Sequence, residues 1–132
     1  MGNSDVEKKR ILFVEDDEEA HELVTLMLTG YRLATARDCD EGLRLARQRC
    51  FDLYILDNWL PDGTGVELCH RIREFDERTP ILFYSGAGYA HDTRDALDAG
   101  AQEYLIKPVE PEDLRRTVAR LVSAAAVNVV TA

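Results

Sequence analysis

Short, wholly apolar runs alternate with amphipathic stretches along the chain. Ile11-Leu12-Phe13-Val14 follows a basic lead-in; it is too short for a helix and suits a strand buried on both faces. Glu18 to Leu28 follows, with Leu23, Leu26 and Met27 at helical spacing and Gly30 as a stop. Tyr31 to Ala36 reads as a weaker second strand, and Asp40 to Arg49 as a helix with Leu43 and Ala46 set between charges. Leu53 to Leu56 is again apolar, and the segment Leu60-Pro61-Asp62-Gly63-Thr64-Gly65 is dense in turn residues. Val66 to Phe75 carries Val66, Cys69 and Ile72 at helical intervals. Pro80 to Tyr84 is a fourth strand, with its proline at the start where no ladder bond is lost. Ser85 to Gly88 is a loop, His91 to Ala99 a short polar helix ended by Gly100, and Glu103 to Ile106 a fifth strand. Pro111 can open a last helix, with Leu114, Val118, Leu121 and Val122 facing inward.

Five strand–helix units in strict alternation predict a doubly wound α/β fold, a parallel sheet with helices on both faces. Right-handed crossovers leave few topologies. The 132 residues suit one domain, since domains run at roughly 100–200 residues. The expected division is a tail over residues 1–9, a domain over 10–123, and a small-residue segment over 124–132. That last segment would extend the final helix or be the stub of a linker. No output domain is expected within these residues.

Charge narrows the function. Sixteen basic against 25 acidic side chains give a net charge of −9, which repels nucleic-acid phosphates. Such a balance can also come from a carboxylate-rich cation site. No apolar run approaches the about 20 residues that cross a bilayer, and the start has no hydrophobic signal region, so a cytoplasmic location is expected. Cys39, Cys50 and Cys69 are odd in number and lack paired spacing, which suits reduced thiols. His21, His70 and His91 are scattered without metal or triad spacing and read as surface residues.

In open α/β sheets, ligands bind beyond the carboxyl ends of the strands, where strand order reverses. The first strand is followed by Glu15-Asp16-Asp17, the third by Asp57, the fourth by Ser85 and the fifth by Lys107-Pro108. Each has an ordinary explanation alone. Acids at a helix start, for example, gain roughly 0.3–1 kcal/mol from the helix dipole. Together they converge on one end of one sheet. Clustered carboxylates repel unless a cation sits among them, and hard oxygen ligands suit Mg²⁺. An aspartate can be a nucleophile toward phosphorus, and phosphoryl transfer then needs mainly positioning and charge neutralisation. Lys107 supplies positive charge, and Ser85 can donate a hydrogen bond to a phosphoryl oxygen.

The segments Phe13-Val14-Glu15-Asp16-Asp17, Leu56-Asp57-Asn58-Trp59-Leu60-Pro61-Asp62-Gly63-Thr64-Gly65, Tyr84-Ser85-Gly86 and Tyr104-Leu105-Ile106-Lys107-Pro108 resemble the signature set of two-component response regulator receiver domains, of the kind found in chemotaxis regulators. The resemblance runs from about Ile11 to about Val122. It implies a five-stranded sheet of order 2-1-3-4-5. It implies that Asp57 accepts a phosphoryl group from a histidine kinase or a histidine phosphotransfer protein. Asp16, Glu15 through water, Asp57 and the backbone carbonyl of Trp59 would hold Mg²⁺, with Mn²⁺ as a possible substitute. Lys107 would contact the phosphoryl group, and its bond to Pro108 is often cis in such domains. Ser85 would move to the phosphoryl oxygen and Tyr104 would turn inward, switching a docking surface. Such a protein is a phosphoacceptor that promotes its own phosphorylation and dephosphorylation rather than a dedicated enzyme. Its output goes to an effector protein or an output domain. The family's usual signalling and dimer surface, built from the fourth helix, fifth strand and fifth helix, would here include Ala90, Leu97, Tyr104, Arg115 and Arg116.

Some positions depart from the commonest pattern. Glu15 stands where aspartate is frequent, and Ser85 where threonine is as usual. Trp59 and Ala87 occupy two places where the family tunes dephosphorylation. Neither side chain can orient a water, so a long-lived phosphoryl group is expected. A haloacid-dehalogenase-type phosphatase would need an acid at position 59. A flavodoxin-like carrier would need a phosphate-cradling loop where the acidic Glu15-Asp16-Asp17 stands. The remaining alternative is a degenerate receiver serving as a phosphorylation-independent interaction module, which would be expected to lose Asp57 or Lys107.

Overall fold

The computed structural model describes residues 8–131, with side chains described through residue 124. Most of the tail expected over residues 1–9, and residue 132, lie outside the described residues. The elements run β1 (Arg10–Val14), α1 (Glu18–Met27), β2 (Arg32–Ala36), α2 (Cys39–Gln48), β3 (Leu53–Leu56), β4 (Trp59–Leu60), β5 (Gly63–Thr64), α3 (Gly65–Arg73), β6 (Ile81–Ser85), α4 (Ala90–Ala99), β7 (Glu103–Ile106) and α5 (Pro111–Thr131). The main sheet is parallel, in the order β2-β1-β3-β6-β7. Without the small β4–β5 ribbon this is the order 2-1-3-4-5. The turn-rich segment forms that ribbon, pairing Trp59 with Thr64 and Leu60 with Gly63. Residues 124–131 continue α5.

The period-two geometry of strands splits each apolar run between two cores. From β1, Ile11 and Phe13 join Val24 and Leu28 of α1 and Leu114, Val118, Leu121 and Val122 of α5. Leu12 and Val14 face the other way, to Ala46 of α2, Leu68, Cys69 and Ile72 of α3, and Ala96 and Ala99 of α4. Burial on both faces is why these strands read as unbroken apolar runs. Burying each such aliphatic side chain contributes roughly 1.5–3 kcal/mol.

Two glycines fix geometry that matters below. A Cβ on Gly65 would collide with the carbonyl oxygen of Asp57 and the ring of Phe83, so α3 can start against the Asp57 backbone only with glycine there. Gly100 has φ +117° and ends α4 in the left-handed region.

Two expectations need correction, and the buried face of α1 is now defined. The inward face of α1 is His21, Val24 and Leu28, while Leu23 and Leu26 are exposed. Two sets of side chains at helical spacing compete on this helix, and the one containing histidine packs against Phe13 of β1. His21 is accordingly a buried residue, its ring 5.2 Å from that of Phe13. Arg115 turns away from the α4–β7–α5 face: its Nε donates to the carbonyl of Met27 at 3.0 Å, tying α5 to α1.

Candidate functional site

The strand order places the chemistry. Val14 and Leu56 are register partners, so Glu15 and Asp57 leave adjacent strands at the same level. The Asp57 amide donates to the Val14 carbonyl at 3.0 Å. One ligand atom each from Glu15, Asp16 and Asp57 can lie within 4.8 Å of one another. Glu15 and Asp57 are 2% and 6% exposed, whereas Asp16 is open to solvent.

Lys107 approaches from the far edge of the sheet. Its amide donates to the Ser85 carbonyl at 2.8 Å, which continues the β6–β7 ladder beyond the Ser85–Ile106 pair. Its Nζ donates to Glu15 Oε1 at 2.5 Å and lies 5.2 Å from the centre of the Tyr84 ring. The bond from Lys107 to Pro108 is cis. Burial alone would lower the Lys107 pKa, but the Glu15 hydrogen bond and the charge of Asp57 outweigh it and raise the value. Burial raises the Glu15 pKa and the Asp57 charge adds to this, only partly offset by the bonds from Lys107 and the Asp17 amide. The corner therefore carries more negative charge than its one lysine relieves.

Ser85 is fully buried, and its Oγ accepts the amides of Asn58 and Ala87, both at 3.2 Å. Both contacts use acceptor capacity, so the hydroxyl hydrogen is left for another partner. Tyr104 points inward: its ring stacks on Phe83 at 5.5 Å and its hydroxyl donates to the Ala87 carbonyl at 2.5 Å. Burial raises its pKa, and the neighbouring Ser85 partly counters that. Trp59 sits on the ribbon with 61% of its surface exposed, its indole edge 3.9 Å from where a Cβ on Gly86 would stand. Asp17 is the N-cap of α1, accepting the Ala20 amide at 3.1 Å.

Two contributors were not legible as site residues. Asn58 is buried; its amide donates to Asp57 Oδ1 at 2.8 Å, and its Oδ1 accepts the Val66 amide at 3.3 Å. It thereby holds the Asp57 carboxylate while bracing the start of α3. His21 places Nε2 on the carbonyl oxygen of Glu15. The only sequence signal for Asn58 is a polar residue after an apolar strand, which loops share.

The donor set suits a hard divalent cation. It offers carboxylate oxygens only, two of the three residues are buried, and Asp57 Oδ2 and both Asp16 oxygens have no hydrogen-bond partner among the described residues. No helix among the described residues is long and apolar enough to cross a membrane.

The sheet order, with a cluster of three acids at its point of reversal, defines a doubly wound α/β protein. Residues 11–119 match the family model of the response regulator receiver domain, and the chain belongs to that family. It is 36% identical over 107 residues to the transcriptional regulatory protein DltR of Streptococcus agalactiae, covering 80% of this chain and 48% of that protein. To AfsQ1 of Streptomyces coelicolor it is 38% identical over 102 residues, covering 76% and 45%. The chain thus spans about half the length of these curated relatives. Among solved structures, a CheY-like receiver domain protein from Methanospirillum hungatei superposes with a TM-score of 0.88 at 28% identity, covering 92% of this chain and 98% of that one. The receiver domain of a Pseudomonas aeruginosa sensor histidine kinase, solved with a magnesium ion coordinated in its active-site cleft, gives 0.81 at 28% identity, covering 88% and 98%.

Proposed function

We propose that this receiver takes a phosphoryl group from a phosphohistidine onto Asp57, with Mg²⁺ held by Glu15, Asp16, Asp57 and the main-chain carbonyl of Trp59. One observation carries the reading: the ligand atoms of the three acids lie within 4.8 Å of one another, and Lys107 is bonded into the same cluster. When bound, Mg²⁺ neutralises phosphoryl oxygens beside the nucleophile, and Mn²⁺ accepts the same hard ligands.

In the transfer, an Asp57 oxygen attacks phosphorus and a P–O bond forms. The P–N bond to the donor imidazole breaks, and the departing nitrogen keeps the electron pair. Asn58 holds the carboxylate in place during attack, and Lys107 pairs with the arriving negative charge. Ser85 gives its hydroxyl hydrogen to a phosphoryl oxygen. Tyr104, next to Ser85 through the Ala87 carbonyl, carries the change to the α4–β7–α5 face. On that face Leu97 and Ile106 are each 45% exposed and Ala90 and Arg116 are open to solvent, a surface for an effector, an output domain or a second copy. The phosphoryl source is a histidine kinase or a histidine phosphotransfer protein in the cytoplasm, and nucleic acid is not a direct partner of this domain. The Trp59 indole and the buried Ala87 methyl exclude an attacking water, so the phosphoryl group is long-lived. A half-life of seconds would overturn that last point.

The test follows Trp59 fluorescence and intact mass while Mg²⁺ and then acetyl phosphate are added, in wild type and Asp57→Asn. The expected result is a Mg²⁺-dependent signal, then gain of one phosphoryl group in wild type alone. Mg²⁺ binding with no mass gain in wild type would replace the reading with a constitutive interaction module.

A further inference from the structure

Asp16 is the exposed member of the acid cluster, and its carboxylate has no hydrogen-bond or ion-pair partner among the described residues. Nothing on its own side chain holds it near Glu15 and Asp57. Its placement depends on the backbone of residues 15–17. Glu15 is anchored at its amide by the Ala36 carbonyl at 2.9 Å and at its carboxylate by Lys107 and by the Asp17 amide at 3.1 Å. Its carbonyl is the acceptor for His21 Nε2.

His21 also returns to the loop through its own backbone. Its amide donates to the Asp17 carbonyl at 3.2 Å. The path from the Glu15 carbonyl through the imidazole and the His21 amide to the Asp17 carbonyl is a closed ring, and Asp16 lies inside it. The imidazole is 6% exposed and packs 5.2 Å from the Phe13 ring, so it has little freedom to leave. A carbonyl only accepts, so Nε2 carries the hydrogen. Nδ1 is then the bare nitrogen, and it is buried without a partner among the described residues. The unsatisfied nitrogen marks this as an unusual place for a histidine. An apolar residue would fill the space against Phe13 with no bare nitrogen, but would leave the Glu15 carbonyl without the donor it has here.

We infer that His21 is a positioning residue for the cation site: through Nε2–H it fixes the Glu15 carbonyl, and with it the turn that presents Asp16. This rests on the reading of Glu15, Asp16 and Asp57 as Mg²⁺ ligands. Partners that orient metal ligands typically change metal affinity 10–100-fold when removed. His21 acts one step further out, through the backbone of the ligand loop, so the lower end of that range is expected.

The test uses three variants of the full chain. His21→Leu keeps bulk and removes the donor. His21→Gln places an amide N–H near the position of Nε2, and His21→Asn places one near Nδ1. Mg²⁺ affinity is read from Trp59 fluorescence, and amide hydrogen exchange at Asp17 is read without metal, since that amide bonds Glu15 Oε2. The expected result is an about tenfold weaker Mg²⁺ affinity and faster Asp17 exchange in Leu and Asn, with Gln close to wild type. Wild-type affinity and exchange in the Leu variant would overturn the inference. So would a Gln variant as impaired as Leu, because the effect would then come from packing. If wild type itself fails to bind Mg²⁺, the functional reading falls, and the exchange comparison still decides whether His21 orders the loop.

Discussion

The two ends of the sheet handle charge withdrawn from water, half-buried at one end and buried at the other, in opposite ways. At the amino end, Asp76 accepts the Arg78 and Thr79 amides on one oxygen and the Tyr54 hydroxyl on the other. Arg73 donates from Nε and Nη2 to the Gly100 carbonyl, from Nη1 to the Asp76 carbonyl and from Nη2 to Gln102. Burial alone would raise the Asp76 pKa, but the Thr79 and Arg78 amides and Tyr54 outweigh it and lower the value. At the carboxyl end the balance reverses. Burial and the neighbouring Asp57 raise the Glu15 pKa against a single lysine, and Asp16 has no partner among the described residues. One end is satisfied within the chain. The other is left with a deficit that a cation can fill, as expected where function and stability compete.

Exchanging the damage between the two ends is the largest test of this contrast. Arg73→Ala strips donors from Gly100, Asp76 and Gln102 and is expected to cost about 2–3 kcal/mol in urea unfolding, with phosphoryl uptake retained. Asp57→Asn is expected to abolish phosphoryl uptake by intact mass without a comparable loss of stability. An Arg73 variant that folds well but cannot be phosphorylated would erase the distinction.

The next effect in size is ligand linkage. Mg²⁺ at one hundred times its dissociation constant is expected to stabilise the native chain by about 2.7 kcal/mol. In Asp16→Asn, at the same Mg²⁺ concentration, most of that gain disappears. Equal stabilisation of both proteins would show that Mg²⁺ acts elsewhere.

Much of this contrast was legible before the fold was known. The apolar runs are unbroken because their strands are buried on both faces, so their ends are sharp and the residues after them stand out. Glu15, Asp57, Ser85 and Lys107 each stand just beyond such an end or at it. Residues whose role depends on how helices pack carry no such mark. His21 sits in a polar first turn, and its burial comes with the packing of its ring against Phe13. The helical spacing of Leu23, Leu26 and Met27 marks a helix but not its buried face, because two stripes on one helix give period without phase. Arg115 belongs to the α1 side because its side chain reaches the Met27 carbonyl, a contact that the inward pattern of Leu114, Val118, Leu121 and Val122 does not encode.

A smaller effect separates cost from function inside the site. Glu15→Gln keeps shape and removes one of two buried acids. The native environment disfavours ionised Glu15, so the metal-free variant is expected to gain stability, by about 1 kcal/mol or less given that Lys107 loses part of its pairing. It is also expected to bind Mg²⁺ more weakly. Lower stability in metal-free urea titrations would mean that the Lys107 bond outweighs the repulsion, and that the deficit at this end is smaller than the geometry implies.

The smallest expected effect is the acid dependence of the other end. A carboxyl group whose folded pKa lies below its unfolded value binds fewer protons in the native state, so it stabilises the fold above the unfolded value of 3.8. That contribution is lost as pH falls through the lowered folded value. Protonation fills one oxygen of Asp76 with hydrogen and weakens its hold on the Arg78 and Thr79 amides or on Tyr54. Tyr54 cannot take over as an anion, because burial first and the Asp76 charge second raise its own pKa. Unfolding free energy measured from about pH 5 downward is expected to fall less steeply in Asp76→Asn than in wild type, because the amide has no proton to take up. The two curves are expected to converge at the acid limit. Parallel curves over that range would mean that Asp76 is not held in its ionised form by these donors, and the amino end would lose its claim to be the satisfied one.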